Sequence, residues 1–204
     1  MYTKYDIDID NSVLLAKLKA FINHFVQVTD EEFLFFASIL KRIKIPKDSY
    51  FLKAGEICTY VGFVNKGAVK YVYNHDKNHK ELVIDFLFEG EWTGDYASYI
   101  YQKPSRFSVQ AIEKTELFIL PLENNVKLHE KYPVFIKYNK LLVEAMLYET
   151  LNRIVQFQGS STEEIYRHLI TRRPFLFERV SMHDIANYLK ITPQSLSRIR
   201  SKIR

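Results

Sequence analysis

Residues 181–203 read SMHDIANYLKITPQSLSRIRSKI, and two short helices separated by a tight turn can be laid on them. Ser181 suits the cap of the first, because its hydroxyl can accept the backbone N–H of Asp184. Ile185, Ala186 and Leu189 turn apolar groups to one side, with small Ala186 where a second helix must cross closely. Thr192 is a second cap, and Pro193 takes the first helical position, where its missing N–H leaves no bond unmade. Leu196 and Ile199 then face inward. The remaining side chains, Thr192, Gln194, Ser195, Ser197, Arg198, Arg200 and Lys202, are the candidate contacts to DNA. A polar, basic second helix behind a tight turn is the shape that enters a major groove. Arg can read guanine and Gln adenine through paired hydrogen bonds, while other basic groups hold phosphates. Lys190 stands where such turns often carry Gly, and a positive φ there would cost on the order of 1 kcal/mol.

The charge distribution agrees. The 204 residues carry a net charge of +5, but residues 165–204 hold nine Lys or Arg against only Glu178 and Asp184. The preceding residues are nearly balanced, so an anionic partner is expected for one end alone.

Upstream the texture changes twice. Leu14, Leu15, Leu18, Phe21, Ile22 and Phe25 recur at helical spacing, and Thr29 with Glu32 forms a capping box for a second helix through Phe33, Phe36, Ile39 and Leu40. Pro46 closes that region. From 49 to 121, short β-type runs (50–52, 60–64, 69–73, 82–88, 107–112, 117–120) alternate with turn signals, which reads as an antiparallel sandwich or barrel. His75 and His79 lie four apart, but among Asn, Asp and Lys they read as a hairpin loop, and no metal site is expected. Cys58 is the lone cysteine and reads as a structural thiol.

Pro133 opens the longest helical pattern, with apolar groups beyond one face. Leu141, Leu142, Ala145, Met146 and Tyr148 are the candidate dimer interface. Gly159 and Ser160 end it, and Ser161 with Glu164 starts a shorter helix that must stop near Pro174. The expected division is a sensor domain at 1–132, a dimerisation helix at 133–158 and a DNA-binding domain at 159–204.

This order of elements resembles the Crp/Fnr family of bacterial transcription regulators. The similarity runs from about Phe25 onward, carried by the LKAGE stretch at 52–56, the Gly67 turn, the segment 90–113 and residues 185–200. The resemblance implies an α+β fold: an N-terminal cyclic-nucleotide-binding-like antiparallel β-barrel (a jelly roll), a long dimerisation helix and a C-terminal helix-turn-helix. It implies a homodimer on near-palindromic double-stranded DNA, an RNA polymerase contact if the protein activates, and a small-molecule effector. By position, base reading falls on Pro193, Gln194 and Arg198, and Pro193 cannot supply a long polar group.

In relatives that bind a cyclic nucleotide, a Gly-Glu-Leu-like segment is followed eleven residues after its Gly by an Arg that meets the phosphate. Here the effector-pocket candidates are Gly94, Asp95 and Tyr96, then Ser105 and Arg106. Arg106 is displaced by one residue, which on a strand turns it to the opposite face. A cyclic nucleotide is the one cofactor the resemblance implies, and cyclic AMP in the usual mode is not expected. A Gly-rich phosphate loop, a metal-ligand cluster and a nucleophile elbow are not found, so an enzyme is not expected. No membrane span or signal peptide is read, so a cytoplasmic address is expected. The competing reading is a ligand-binding module acting through protein partners.

Overall fold

The computed structural model describes residues 12–75 and 80–203. His79 lies outside the described residues, as do positions 76–78 of the expected hairpin loop. Among the described residues no group of His, Cys, Asp and Glu could hold a metal, and no helix is long and apolar enough to cross a membrane.

Among the described residues two helices come first, α1 (Ser12–Phe25) and α2 (Asp30–Ile39). The Thr29–Glu32 capping box forms as expected, each partner serving the other's backbone N–H. Eight strands follow: β1 (Lys41–Ile45), β2 (Tyr50–Leu52), β3 (Tyr60–Lys66), β4 (Val69–His75), β5 (Lys80–Leu87), β6 (Trp92–Thr93), β7 (Phe107–Ala111) and β8 (Thr115–Pro121). They make two four-stranded antiparallel sheets, ordered β1-β8-β3-β6 and β2-β7-β4-β5. Between the sheets lie Val64, Val69, Val109, Leu117 and Ile119, all nearly without exposure. The outer side of the first sheet is covered by α1, α2, α4 (Leu122–Lys131) and the start of α5 (Val134–Gly159), where Leu18, Ile22, Phe36 and Phe135 pack.

Five elements escaped the sequence reading, one of them α7 (Leu176–Arg179) in the C-terminal part. β1 runs just before Pro46, where only the close of the helical region is expected; it is held by pairing with β8, Lys41 opposite Ile119. β6 is two residues long, α3 (Tyr96–Tyr101) a turn and a half, and α4 carries only a narrow apolar stripe. None of these has enough residues on one face to declare a period by itself.

At the C-terminal end come α6 (Thr162–Arg172), α7 (Leu176–Arg179), α8 (Met182–Tyr188) and α9 (Pro193–Ile203). Ser161 and Glu164 form the second capping box. These helices share one core with the second sheet: Val83, Phe86 and Phe88 pack with Ile165, Leu176, Ile185 and Leu196. Polar contacts fasten the seam. The Asn187 amide donates to the Glu81 carbonyl at 2.8 Å and its oxygen accepts the Val83 N–H at 2.9 Å, so α8 satisfies backbone of β5, the edge strand. Lys70 Nζ lies 2.8 Å from Asp184 Oδ1, with both side chains about 15% exposed. Arg179 forks onto Glu89 at 2.8 and 2.9 Å and also meets Glu113.

Burial works against ionisation of Glu89, but Arg179 and the Gly67 N–H outweigh it and hold the carboxyl below its ordinary 4.5. A depressed carboxyl stabilises the fold above 4.5 and loses that contribution as pH falls through the folded value. Arg179→Met is therefore expected to cost roughly 1–3 kcal/mol at pH 7, allowing for solvent screening at Glu89. The deficit should shrink below pH 4.5, where the wild type loses the same pairing. Urea unfolding across pH 3 to 7 measures it, and a constant or absent deficit would remove this cluster from the seam's energetics.

Candidate functional site

Two places bring the expected residues together. The first is the cassette between β6 and β7. Gly94 has φ +127, a conformation that side chains rarely adopt, and it lets the chain leave β6 sharply. Asp95 caps α3, its Oδ1 accepting the Ser98 N–H at 3.0 Å. Ser105, 4% exposed, places its hydroxyl 2.8 Å from Asp95 Oδ2 and accepts the Phe107 N–H at 3.0 Å. Asp95 and Ser105 thus meet, as a carboxylate and a hydroxyl that satisfy each other. Tyr96 begins α3 and is partly exposed. Arg106 lies on the outside, its guanidinium 5.7 Å from the centre of the Tyr73 ring. Ser105 is buried and Arg106 exposed, but both precede β7, so Arg106 turns away at the bend before the strand and not by alternation along it.

Tyr71 is the residue that the sequence did not announce. Its hydroxyl accepts the Gly94 N–H at 2.7 Å and donates toward the Gly94 carbonyl at 2.9 Å, with the Thr93 hydroxyl 3.2 Å away. Burial pushes this phenol far above its ordinary pKa, so it stays a neutral donor. Tyr71 shares the inward face of β4 with Val69, but its partner Gly94 follows β6 in the other sheet, which the sequence of β4 alone does not show. A cyclic phosphate entering here would meet a carboxylate, a hydroxyl and an occupied backbone amide. The residues do not fit that ligand, because a buried phosphate charge needs a cation.

The second place is the helix-turn-helix. Ser181 caps α8 by accepting the Asp184 N–H at 3.0 Å. The turn closes through Lys190 N–H to the Asn187 carbonyl and Ile191 N–H to the Ala186 carbonyl. Lys190 has φ +57, the left-handed conformation expected of it, and its ammonium lies 5.8 Å from the centre of the Phe157 ring. Thr192 caps α9, accepting the Ser195 N–H at 3.1 Å. Ile185, Ala186 and Leu196 are buried between the two helices, while Gln194, Ser197, Arg198 and Lys202 are exposed.

The other candidates are placed differently. Thr192 and Ser195 hold each other's hydroxyls at 3.0 Å. Arg200 turns back, its guanidinium 5.5 Å from the centre of the Phe177 ring and 3.7 Å from Met182 Sδ. Lys202 reaches Glu163 at 3.2 Å on the surface.

On α5, Leu141 and Leu142 pack against the chain's own helices and first sheet, and Ala145 is half-buried. Met146 and Tyr148 are exposed, together with Leu147, Leu151, Ile154 and Val155. These last four are not among the interface candidates read from the sequence, because a helix apolar on two sides does not say which side its own domain covers.

Two facing antiparallel sheets with a helix-capped cassette, then a long helix and a helix-turn-helix, are the fold of the Crp/Fnr-type regulators. Residues 42–132 match the model of the cyclic nucleotide-binding domain family. No curated protein matches the chain. Similar solved structures include the c-di-GMP responsive global regulator CLP of Xanthomonas campestris, 16% identical, covering 86% of this chain and 91% of that one with a TM-score of 0.68. FixK2 of Bradyrhizobium japonicum is 18% identical, covering 81% and 84% with a TM-score of 0.68. The catabolite activator protein of Thermus thermophilus is 21% identical, covering 88% and 85% with a TM-score of 0.57. At these identities the likeness is one of fold.

Proposed function

We propose that the chain is a DNA-binding transcription regulator of the Crp/Fnr type, acting as a homodimer on a near-palindromic operator. The observation that carries this reading is the outer face of α9. Gln194, Ser197 and Arg198 stand exposed behind a capped turn, on a helix held from beneath by Leu196. Polar groups at the N-terminal end of a second helix are where base edges are read. The division into a sensor at 1–132, a dimerisation helix at 133–158 and a DNA-binding part at 159–204 belongs to the same reading, as do a cytoplasmic address, a non-enzymatic role and an RNA polymerase contact if it activates. Footprinting on fragments of its own genome, repeated across salt concentration, tests it. Binding should weaken steeply with salt, since displaced counterions accompany phosphate contacts. Protection of no fragment, or salt-independent binding, would sink the reading.

The sensor is not a site for cyclic AMP in the usual mode. Asp95 and Ser105 are paired with each other, Arg106 faces out, and Tyr71 holds the Gly94 amide. Trp92 lies two residues before Gly94 and reports on its surroundings. Titration with cyclic AMP to the micromolar range is expected to leave its fluorescence unchanged. A saturable response abolished by Asp95→Ala would overturn this.

A further inference from the structure

The helix side of the first sheet carries a cleft that the fold does not fill. It lies between β3 and β6, α3, α4 and the first half of α5, with closed room of about 50 Å³ inside a space of about 600 Å³ that includes its open mouth. Six rings form most of its wall: Phe36, Trp92, Tyr96, Tyr99, Phe135 and Tyr138. They brace one another rather than collapse inward. Phe36 stacks on Phe135 with centroids 5.2 Å apart, and the Trp92 indole N–H donates to the Tyr138 hydroxyl at 2.9 Å.

The chemistry of the wall selects the occupant. None of the sixteen lining residues is Asp, Glu, Lys, Arg or His. A charged molecule would lose its hydration there with nothing to replace it. Asn125, 3% exposed, is one of the polar side chains in the lining. The Asn139 amide nitrogen is engaged by His129 Nε2 at 2.9 Å and reaches Asn125 Oδ1 only at 3.4 Å, longer than a good hydrogen bond, so a ligand N–H or O–H can compete for that oxygen. From these features we infer that the cleft binds a small, flat, uncharged and mainly apolar molecule, with one hydrogen-bond donor set against Asn125 Oδ1. The site is separate from the cassette interior, where the Tyr71 hydroxyl stands between the sheets. It touches both the segment after β6 and the long helix, however: Gly94 and Tyr96 line it, as do Leu142, Val143 and Met146 of α5. The regulatory meaning of the site rests on the function proposed above; the binding itself does not.

The test uses the full chain and N-phenyl-1-naphthylamine, a neutral probe that fluoresces in apolar surroundings. Saturable binding of one probe per protomer is expected, with Trp92 emission quenched along the same curve. Val143→Phe, which adds a ring at the helical wall, should weaken the probe at least tenfold while circular dichroism and the melting temperature hold. The anionic relative 8-anilino-1-naphthalenesulfonate should bind at least tenfold more weakly than the neutral probe. Non-saturable binding, equal affinity for the two probes, or indifference to Val143→Phe would each overturn the inference. So would probe affinity that falls as protein concentration rises, since a second copy would then be the occupant. Failure of the chain to bind DNA would strike the regulator reading and leave probe binding intact, so the two fail separately.

Discussion

Leu147→Glu together with Leu151→Glu is expected to convert the protein from a dimer to a monomer at tens of micromolar. Leu147 is 58% exposed, Leu151 52%, Ile154 46% and Val155 68%, an apolar seam on the outer side of α5. Positions 147, 151 and 154 follow the four-then-three spacing with which two helices interlock. Such a stripe is a liability unless covered. Across a two-fold axis each leucine counts twice, at ~1.5 kcal/mol or more per side chain. The loss is then roughly 6 kcal/mol, about four orders of magnitude in dimer affinity, before repulsion among the new carboxylates. Light scattering on both proteins decides it. A monomeric wild type, or a variant that stays dimeric, would show that this seam is not the interface. Leu142→Glu, which the sequence pattern recommends equally, is a poorer experiment, because Leu142 packs into the chain's own core. It would damage folding rather than association.

Arg198→Ala is expected to lower affinity for the specific operator by about 1–3 kcal/mol, or roughly five- to 150-fold, and to relax preference at one position of each half-site. Arg198 is exposed on α9 one turn beyond Gln194 and on the same side. Lys202→Ala, farther along the helix and ion-paired with Glu163 on the surface, should weaken all sequences evenly and flatten the salt dependence. Arg200→Ala should act on stability instead, since its guanidinium lies over Phe177. Half-sites should be centred near one helical turn apart, about 10 base pairs. Competition between operator and nonspecific duplex measures all three. If Arg198→Ala leaves the ratio of the two affinities unchanged, Arg198 does not read bases.

What could be read without coordinates was local chemistry. The caps at Thr29, Ser161, Ser181 and Thr192 each involve a hydroxyl and a backbone N–H three residues away, so the sequence alone contains both partners. The main strands were legible from their alternation and turn residues. The strain at Lys190 followed from the tightness of the turn between two capped helices. Tertiary structure decided whatever needs a partner far along the chain. β1 exists because β8 lies beside it, more than seventy residues later. Asp95 and Ser105 satisfy each other because α3 folds the cassette back, and the Tyr71 hydroxyl reaches Gly94 because β4 and β6 belong to the two facing sheets. The seam between α8 and β5, through Asn187 and the Lys70–Asp184 pair, leaves no trace in either segment by itself. The free side of α5 is of the same kind. Periodicity tells that a helix is apolar on two sides, but only packing against α1 and the first sheet tells which side is already taken, because burial is a property of the neighbours and not of the helix.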